Sequence, residues 1–368
     1  MPGITQTQMI TLLNTTISNF MKGKHVGTQQ LQQYAGVEKF ILSGKSGNSL
    51  DGHTFEWVVQ LRKNSGSFRG VDFHEAWSAV EGPAPVRASV KVVKYEGKGI
   101  VVDARERAMN GGPGQIVNML NTKKDAFFEE VYATLERDIF GIPQAPNDGK
   151  RLTSLYQWAR PSMNSSGTFV ADTTGGFNGQ YVRYANGATA QSTLAGIDAA
   201  DLNNERWRNW NFTHGGTLTL DVCRAIRRAN NYTNFKAFPK KIGETVMGSV
   251  SIFLNQAFHE AYLDLINAGP DDRRISGNKA DIFPFQESTV GGVNIIRAPQ
   301  LDLDATAPIF GVRHDKCYIA RMPGFWFRES GFREKPDAHN SLYAPIDVCG
   351  ELICESPREA VWVGHGAF

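Results

Sequence analysis

The run from Gln115 to Phe140 keeps a helical period without a break, and it constrains the fold more than any other stretch of the chain. Ile116, Leu120, Phe127, Val131, Leu135 and Ile139 fall in one arc of a helical wheel, while Glu129, Glu136, Arg137 and Asp138 fall opposite. Phe127, Val131, Leu135 and Ile139 are therefore the expected core face. Lys124 is the discordant residue, and a lysine can lay its stem on apolar surface with the ammonium in water. Gly111-Gly112-Pro113-Gly114 releases the chain into the helix, and Gly141 with Pro143 stops it. At 1.5 Å per residue such a helix spans roughly 40 Å. It is a spine.

Ahead of it, Thr54–Arg62 alternates Phe55, Trp57, Val59 and Leu61 on one face, the period of a strand. Ala88–Tyr95 reads as its partner, with Val90 and Val92 on one face and Val93 opposite. Between the two lie about 25 residues containing Gly66, Gly70, Gly82, Pro83 and Pro85, whereas a tight hairpin needs about two to five. The pair therefore predicts a projecting finger whose tip lies on a neighbouring molecule. Residues 1–50 are rich in Gln, Thr, Asn and Gly with a weak apolar rhythm at Ile10, Leu13, Ile17 and Phe20. They read as an arm lying on something else, or as a frayed tail.

Beyond the spine, residues 161–196 turn to Ser, Thr, Gly and Asn, a loop-rich insertion. The stretch Leu194–Phe212 follows, and Trp207-Arg208-Asn209-Trp210 within it reads as a passage between two domains. Trp207 and Trp210 are the expected packing anchors, with Arg208 and Asn209 hydrogen-bonding the connecting backbone. A helix is expected over Leu218–Ala229, with Thr217 as N-cap and Asp221 in its first turn. A second is expected over Val250–Asn267, with Val250, Leu254, Phe258, Ala261 and Leu265 on one side. Strands are expected at Ile282–Phe285, Val293–Ala298, Lys316–Arg321, Phe325–Phe332, Val348–Cys354 and Ala360–Val363. Helices segregated from mainly antiparallel strands make the class α+β.

The search for chemistry finds no motif with the right spacing. Gly44-Lys45-Ser46 ends like a phosphate-binding loop, but Lys39 stands where the first glycine is required. His259-Glu260 begins a zinc-protease helix, but Leu263 replaces the second histidine, and His74-Glu75 ends on Ser78. No G-x-S-x-G occurs. Asp302 and Asp304 are two carboxylates on a turn, too few to hold a cation by themselves. Arg224, Arg227 and Arg228 sit where cations complement a helix C-terminus. A net charge of +2 with no block of like charges gives no footprint of a dedicated nucleic-acid binder. The four cysteines include no C-x-x-C and read as buried free thiols in a reducing compartment. There is no basic leader with an apolar region behind it, and no run near the ~20 apolar residues a bilayer demands. The expectation is a soluble intracellular protein with no catalytic residues, metal or cofactor, built for contact with copies of itself.

Several short motifs in fixed order add to this: Gly176-Phe177-Asn178-Gly179, Ala195-Gly196-Ile197-Asp198, Trp207-Arg208-Asn209-Trp210 and Pro239-Lys240-Lys241-Ile242. Gly291-Gly292-Val293, Ala298-Pro299, Gly350-Glu351-Leu352 and Pro357-Arg358 continue the series. Together with the order arm, finger, spine, they resemble the major capsid proteins of tailed bacteriophages over nearly the whole chain. The resemblance implies an N-terminal arm (1–53), an extended E-loop (54–98) and a peripheral P-domain (99–212) holding the spine helix (115–140) and the insertion (161–196). An axial A-domain (213–345) and C-terminal strands (346–368) returning toward the P-domain would follow. It also implies hexamers and pentamers tiling an icosahedral head around double-stranded DNA contacted without specificity, assembled in the host bacterial cytoplasm. A portal and a separate scaffolding protein would be the partners, and no membrane. The same fold could instead serve an encapsulin-type nanocompartment shell. A reading of another class is a two-domain hydrolase with acids such as Glu329 or Asp337 in a cleft.

Overall fold

The computed structural model describes residues 34–47, 52–61, 72, 84–103, 113–141, 150–159, 184–186, 189–191, 193–198, 201, 204, 207, 209–233, 250–267, 288–290, 293–304, 306–334 and 341–366. The finger tip, the Gly176-Phe177-Asn178-Gly179 motif, Arg208, the expected strand at 282–285, Asp337 and the apolar positions at 10–20 fall outside them.

The spine is a 28-residue helix, Pro113–Phe140. Its buried stripe runs Lys124, Phe128, Tyr132, Leu135 and Ile139, with Glu136, Asp138 and Phe140 beside it. Leu135 and Ile139 are thus buried, but Phe127 and Val131 are only half-buried. The helix is turned from the expected orientation because three ionisable residues have partners inside. Asp138 accepts from the Tyr95 hydroxyl at 2.6 Å, Glu136 accepts from the Gln300 N–H at 3.1 Å, and Lys124 faces Glu329 at 3.9 Å. Lys124, 2% exposed, does not reach for water.

Two six-stranded sheets flank the main core. The first is built on the 13-residue strand Leu342–Cys354, longer than the strand expected at 348–354. Val93–Val102 lies antiparallel on one side of it, Cys317–Arg321 on the other, and Lys45–Ser46 adds a parallel edge. From Val348 onward every residue of Leu342–Cys354 is buried, the mark of a strand covered on both faces. Of the strand expected over 325–332, only Arg328–Glu329 pairs. Turns occupy 323–327, where Gly324 and Phe327 take left-handed φ values of 78° and 50°.

The second sheet has the order Ser288–Val290, Val293–Arg297, Val250–Leu254, Ile309–Arg313, Val361–Gly366, Trp210–His214. Alternate residues face opposite ways: Phe253, Ile296, Phe310 and Val363 join the main core, while Ile252, Ile295, Ile309 and Trp362 join a second core. That second core is completed by Val222 and Ile226 of the helix Leu220–Tyr232 and by Phe258 and Tyr262 of the helix Gln256–Asn267. The long helix expected at 250–267 is therefore a strand followed by a shorter helix. Asn255 separates them, its side-chain oxygen capping the helix by accepting from the Phe258 N–H at 3.0 Å. The cap of Leu220–Tyr232 is Thr219 rather than Thr217, accepting from the Val222 N–H at 3.5 Å. Pairing also joins segments read as separate domains: Cys317–Arg321 lies in the first sheet, and Val361–Gly366 runs parallel to Trp210–His214 in the second.

The finger's base is an antiparallel pair, Thr54–Val59 with Val86–Lys91, in the register Phe55↔Val90 and Val59↔Val86. The expected second strand, 88–95, is two strands. The Val92 N–H leaves the pair to donate to the His53 carbonyl at 2.8 Å, and Val93–Val102 then enters the first sheet. The buried parity switches there, from Ala88 and Val90 to Val93. Residues 35–47, expected as arm or tail, form a strap on the chain's own core. The helix Ala35–Ser43 buries Val37 and Phe40 completely.

Gly311 marks the tightest approach in the second sheet, since a Cβ there would stand 2.0 Å from the Trp362 ring. Gly311→Ala is expected to cost at least ~1–3 kcal/mol through overpacking, read as a lowered thermal unfolding midpoint. An unchanged midpoint would contradict the packing described for Trp362.

Candidate functional site

Among the described residues, Glu329, Asp302 and Asp304 are each engaged with partners inside the protein. Glu329 faces Lys124 across 3.9 Å, both nearly closed to solvent. Burial pushes the Glu329 carboxyl up and the Lys124 ammonium down, and each opposes the other's shift. Asp302 accepts from the Gln256 N–H at 2.6 Å and from Arg297 at 2.9 Å. Asp304 accepts from the Tyr156 hydroxyl and from the Thr306 N–H and hydroxyl at 2.9 and 2.8 Å. These donors occupy the oxygens a cation would use. Among the described residues no group of three or more His, Cys, Asp or Glu gathers to hold a metal ion. No helix among them is long and apolar enough to cross a membrane.

The structure instead concentrates its polar precision on one junction. Glu351 is fully buried, and one carboxylate oxygen accepts from the Thr153 N–H at 2.6 Å and the Leu352 N–H at 3.0 Å. Hydrogen bonds of this kind offset part of the cost of removing a carboxyl group from water. They clamp the short segment 152–159 onto the central strand of the first sheet. Trp158 adds a bond from its indole N–H to the Leu352 carbonyl at 3.0 Å. Its ring lies 6.1 Å from Trp207, edge to face, and 6.3 Å from Trp57 of the finger. The Ser89 N–H of the finger donates to the Ala195 carbonyl at 3.1 Å, which ties down the turn at 195–196.

Of the residues singled out at 207–210, the two tryptophans divide between the two cores. Trp207 belongs to the main core and Trp210 to the second, where Arg358 lies 4.9 Å over its ring. Asn209 is buried and donates to the Trp210 carbonyl at 3.1 Å. Of the finger residues, Phe55, Val59, Leu61 and Val90 are buried, and Trp57 and Val92 half-buried. Sequence reasoning missed Trp158 and the role of Glu351. The signal available for Trp158 was the stretch 152–159 between two Gly- and Pro-rich segments, and for Glu351 its place in the Gly350-Glu351-Leu352 motif.

Among the described residues, the finger and the flank of the spine present open surfaces. The finger's outer face presents Val58, 68% exposed, with Val86 and Arg87. Arg87 pairs with Glu56 across the strands at 3.1 Å. A groove of about 360 Å³ runs between the spine and the first sheet, lined by Tyr95, Phe127, Glu130, Val131, Ile346 and Val348. Phe127 and Val131, expected in the core, are walls of this groove.

In fold, the chain is similar to solved capsid structures. It aligns with the capsid of the native GTA particle at a TM-score of 0.52 and 12% identity, covering 90% of each chain. For the capsid of the empty GTA particle the TM-score is 0.51 and the identity 13%, again over 90% of each chain. The capsid asymmetric unit of cyanophage A-1(L) aligns less closely, at a TM-score of 0.49 and 15% identity over 87% of this chain and 88% of that one. No family model matches the sequence, and no curated protein does.

Trp207→Ala, at ~3–5 kcal/mol for a lost core aromatic, is expected to give insoluble protein; soluble, normally folded protein would contradict the junction. Glu136 supplies a pH test. Burial raises its carboxyl to about 7 from 4.5, only partly offset by the Gln300 N–H and Arg297. The unfolded chain loses that proton first, so its contribution to stability is full below pH ~4.5 and lost as pH rises through ~7. Glu136→Gln keeps an acceptor for Gln300, and is expected to raise stability by about 1–3 kcal/mol at pH 8 with little effect at pH 4.5.

Proposed function

We propose that the chain is the structural subunit of a tailed-bacteriophage head, self-assembling through hexamers and pentamers into an icosahedral shell around double-stranded DNA. The observation that carries this reading is the end-to-end likeness to the GTA capsid structures, over 90% of both chains. The chain works as building material rather than as a catalyst. In this reading residues 1–53 are the arm, 54–98 the E-loop, 99–212 the P-domain, 213–345 the A-domain and 346–368 the returning strands. A separate scaffolding protein and a portal are its partners, and assembly takes place in the bacterial cytoplasm before the subunit resides in the virion.

The physical features suit that role. A shell closes correctly when each contact is weak enough to dissociate and many contacts per subunit act together. A finger with Val58 and Arg87 on its outer face adds contact area without one large apolar patch. A net charge of +2 suits a lining that must not grip packaged DNA through many phosphate contacts.

Purified protein is expected to form capsomers, tubes or shells in sedimentation velocity and negative-stain microscopy, with scaffold supplied if needed. A monomer at every concentration would overturn the proposal. Val58→Asp is expected to keep a wild-type circular dichroism spectrum while reducing assembled material at least tenfold.

A further inference from the structure

His314 occupies a place where a histidine is hard to explain by packing alone. It is 2% exposed, at the turn that follows the strand Ile309–Arg313. Its ring packs edge-on to Phe40 of the strap at 5.0 Å and to Phe253 of the second sheet at 5.9 Å. Phe140 of the spine closes the same cluster, 6.1 Å from Phe40 and 5.0 Å from Phe253. Neither ring nitrogen has a hydrogen-bond partner. A neutral imidazole tolerates an aromatic cage, whereas an imidazolium there would bring two unsatisfied N–H donors and a charge.

The charged surroundings offer no relief. Lys39, on the strap helix, faces the ring and disfavours its protonation. Asp315 is the one facing carboxylate, but both its oxygens are taken by Arg313, at 2.5 and 2.6 Å. Lys45, on the strap's edge strand, donates to the Asp315 carbonyl at 2.6 Å and brings a further cation to the turn. Lys316, next along, is paired with Glu355 at 2.9 Å. Phe253 and Phe140 bring no charge from the sheet and the spine.

The strap depends on this cluster. Phe40 and Val37 are its fully buried side chains, and its edge strand, Lys45–Ser46, adds only two residues to the first sheet. We propose that His314 is an acid-sensitive latch: its neutral ring holds the strap 35–47 on the core, and protonation of the ring releases it. The inference does not depend on the shell reading.

Hydrogen exchange of the full chain, followed by mass spectrometry at pH 7.5 and pH 5.0 and corrected for intrinsic rates, tests it. Burial and Lys39, with Asp315 opposing, hold the docked ring at about 4 against 6.5 when free. Linkage between those values predicts that strap peptides lose protection by ~30-fold at pH 5.0. Peptides from Val250–Leu254 and Ile309–Arg313 keep theirs. His314→Phe, which fills the cage without titrating, is expected to abolish the strap's response. Lys39→Gln, on the surface side, removes the facing cation and is expected to weaken the response even if His314→Phe fails to fold. Equal strap protection at both pH values, an equal loss across all peptides, or a wild-type response in either variant would overturn the proposal.

Discussion

A carboxylate with no access to water must be surrounded by donors or the fold loses several kcal/mol. Glu351 answers part of that constraint through one oxygen, which accepts from the Leu352 N–H and from the Thr153 N–H of a segment 198 residues earlier in the chain. Everything near the junction follows from it. The segment 152–159 cannot leave the central strand, so Trp158 stands fixed between Trp57 and Trp207. The finger, the crossover between cores and the first sheet thus share one side chain.

Sequence reading succeeded where local pattern alone decides structure. Phe55, Trp57, Val59 and Leu61 alternate because one face of the finger base is covered and the other is not. The spine's extent was legible from its period and its Gly and Pro boundaries. Its rotation was not, since Asp138, Glu136 and Lys124 are buried by Tyr95, Gln300 and Glu329, partners no helical wheel contains. Val250–Leu254 passed for helix because a strand buried on both faces has no period to read, and only the Asn255 cap marks the boundary. The strap was hidden by its polar context, with Phe40 the one large anchor. Glu351 could be quoted as part of a motif, but its role rests on a contact across more than half the chain.

The two-core arrangement gives the second sheet a particular position. Its period-two alternation sends Phe253 toward the spine and strap, Phe310 toward Tyr156, and Ile252 and Ile309 toward the two outer helices. A change on either side is felt through the same five-residue strands. The groove between spine and first sheet lies on the opposite flank, where Phe127 and Val131 are left half-covered. The open face of the finger base and the groove along the spine thus lie apart from both cores.

The claim on which this account turns is that Trp158 couples the finger and the crossover to the first sheet. Hydrogen exchange of Trp158→Ala against wild type, resolved by peptide, measures that coupling directly. Protection is expected to fall together in 54–59, 86–91 and 193–198 as well as in 152–159. A loss confined to 152–159, with the finger strands exchanging as in wild type, would contradict it.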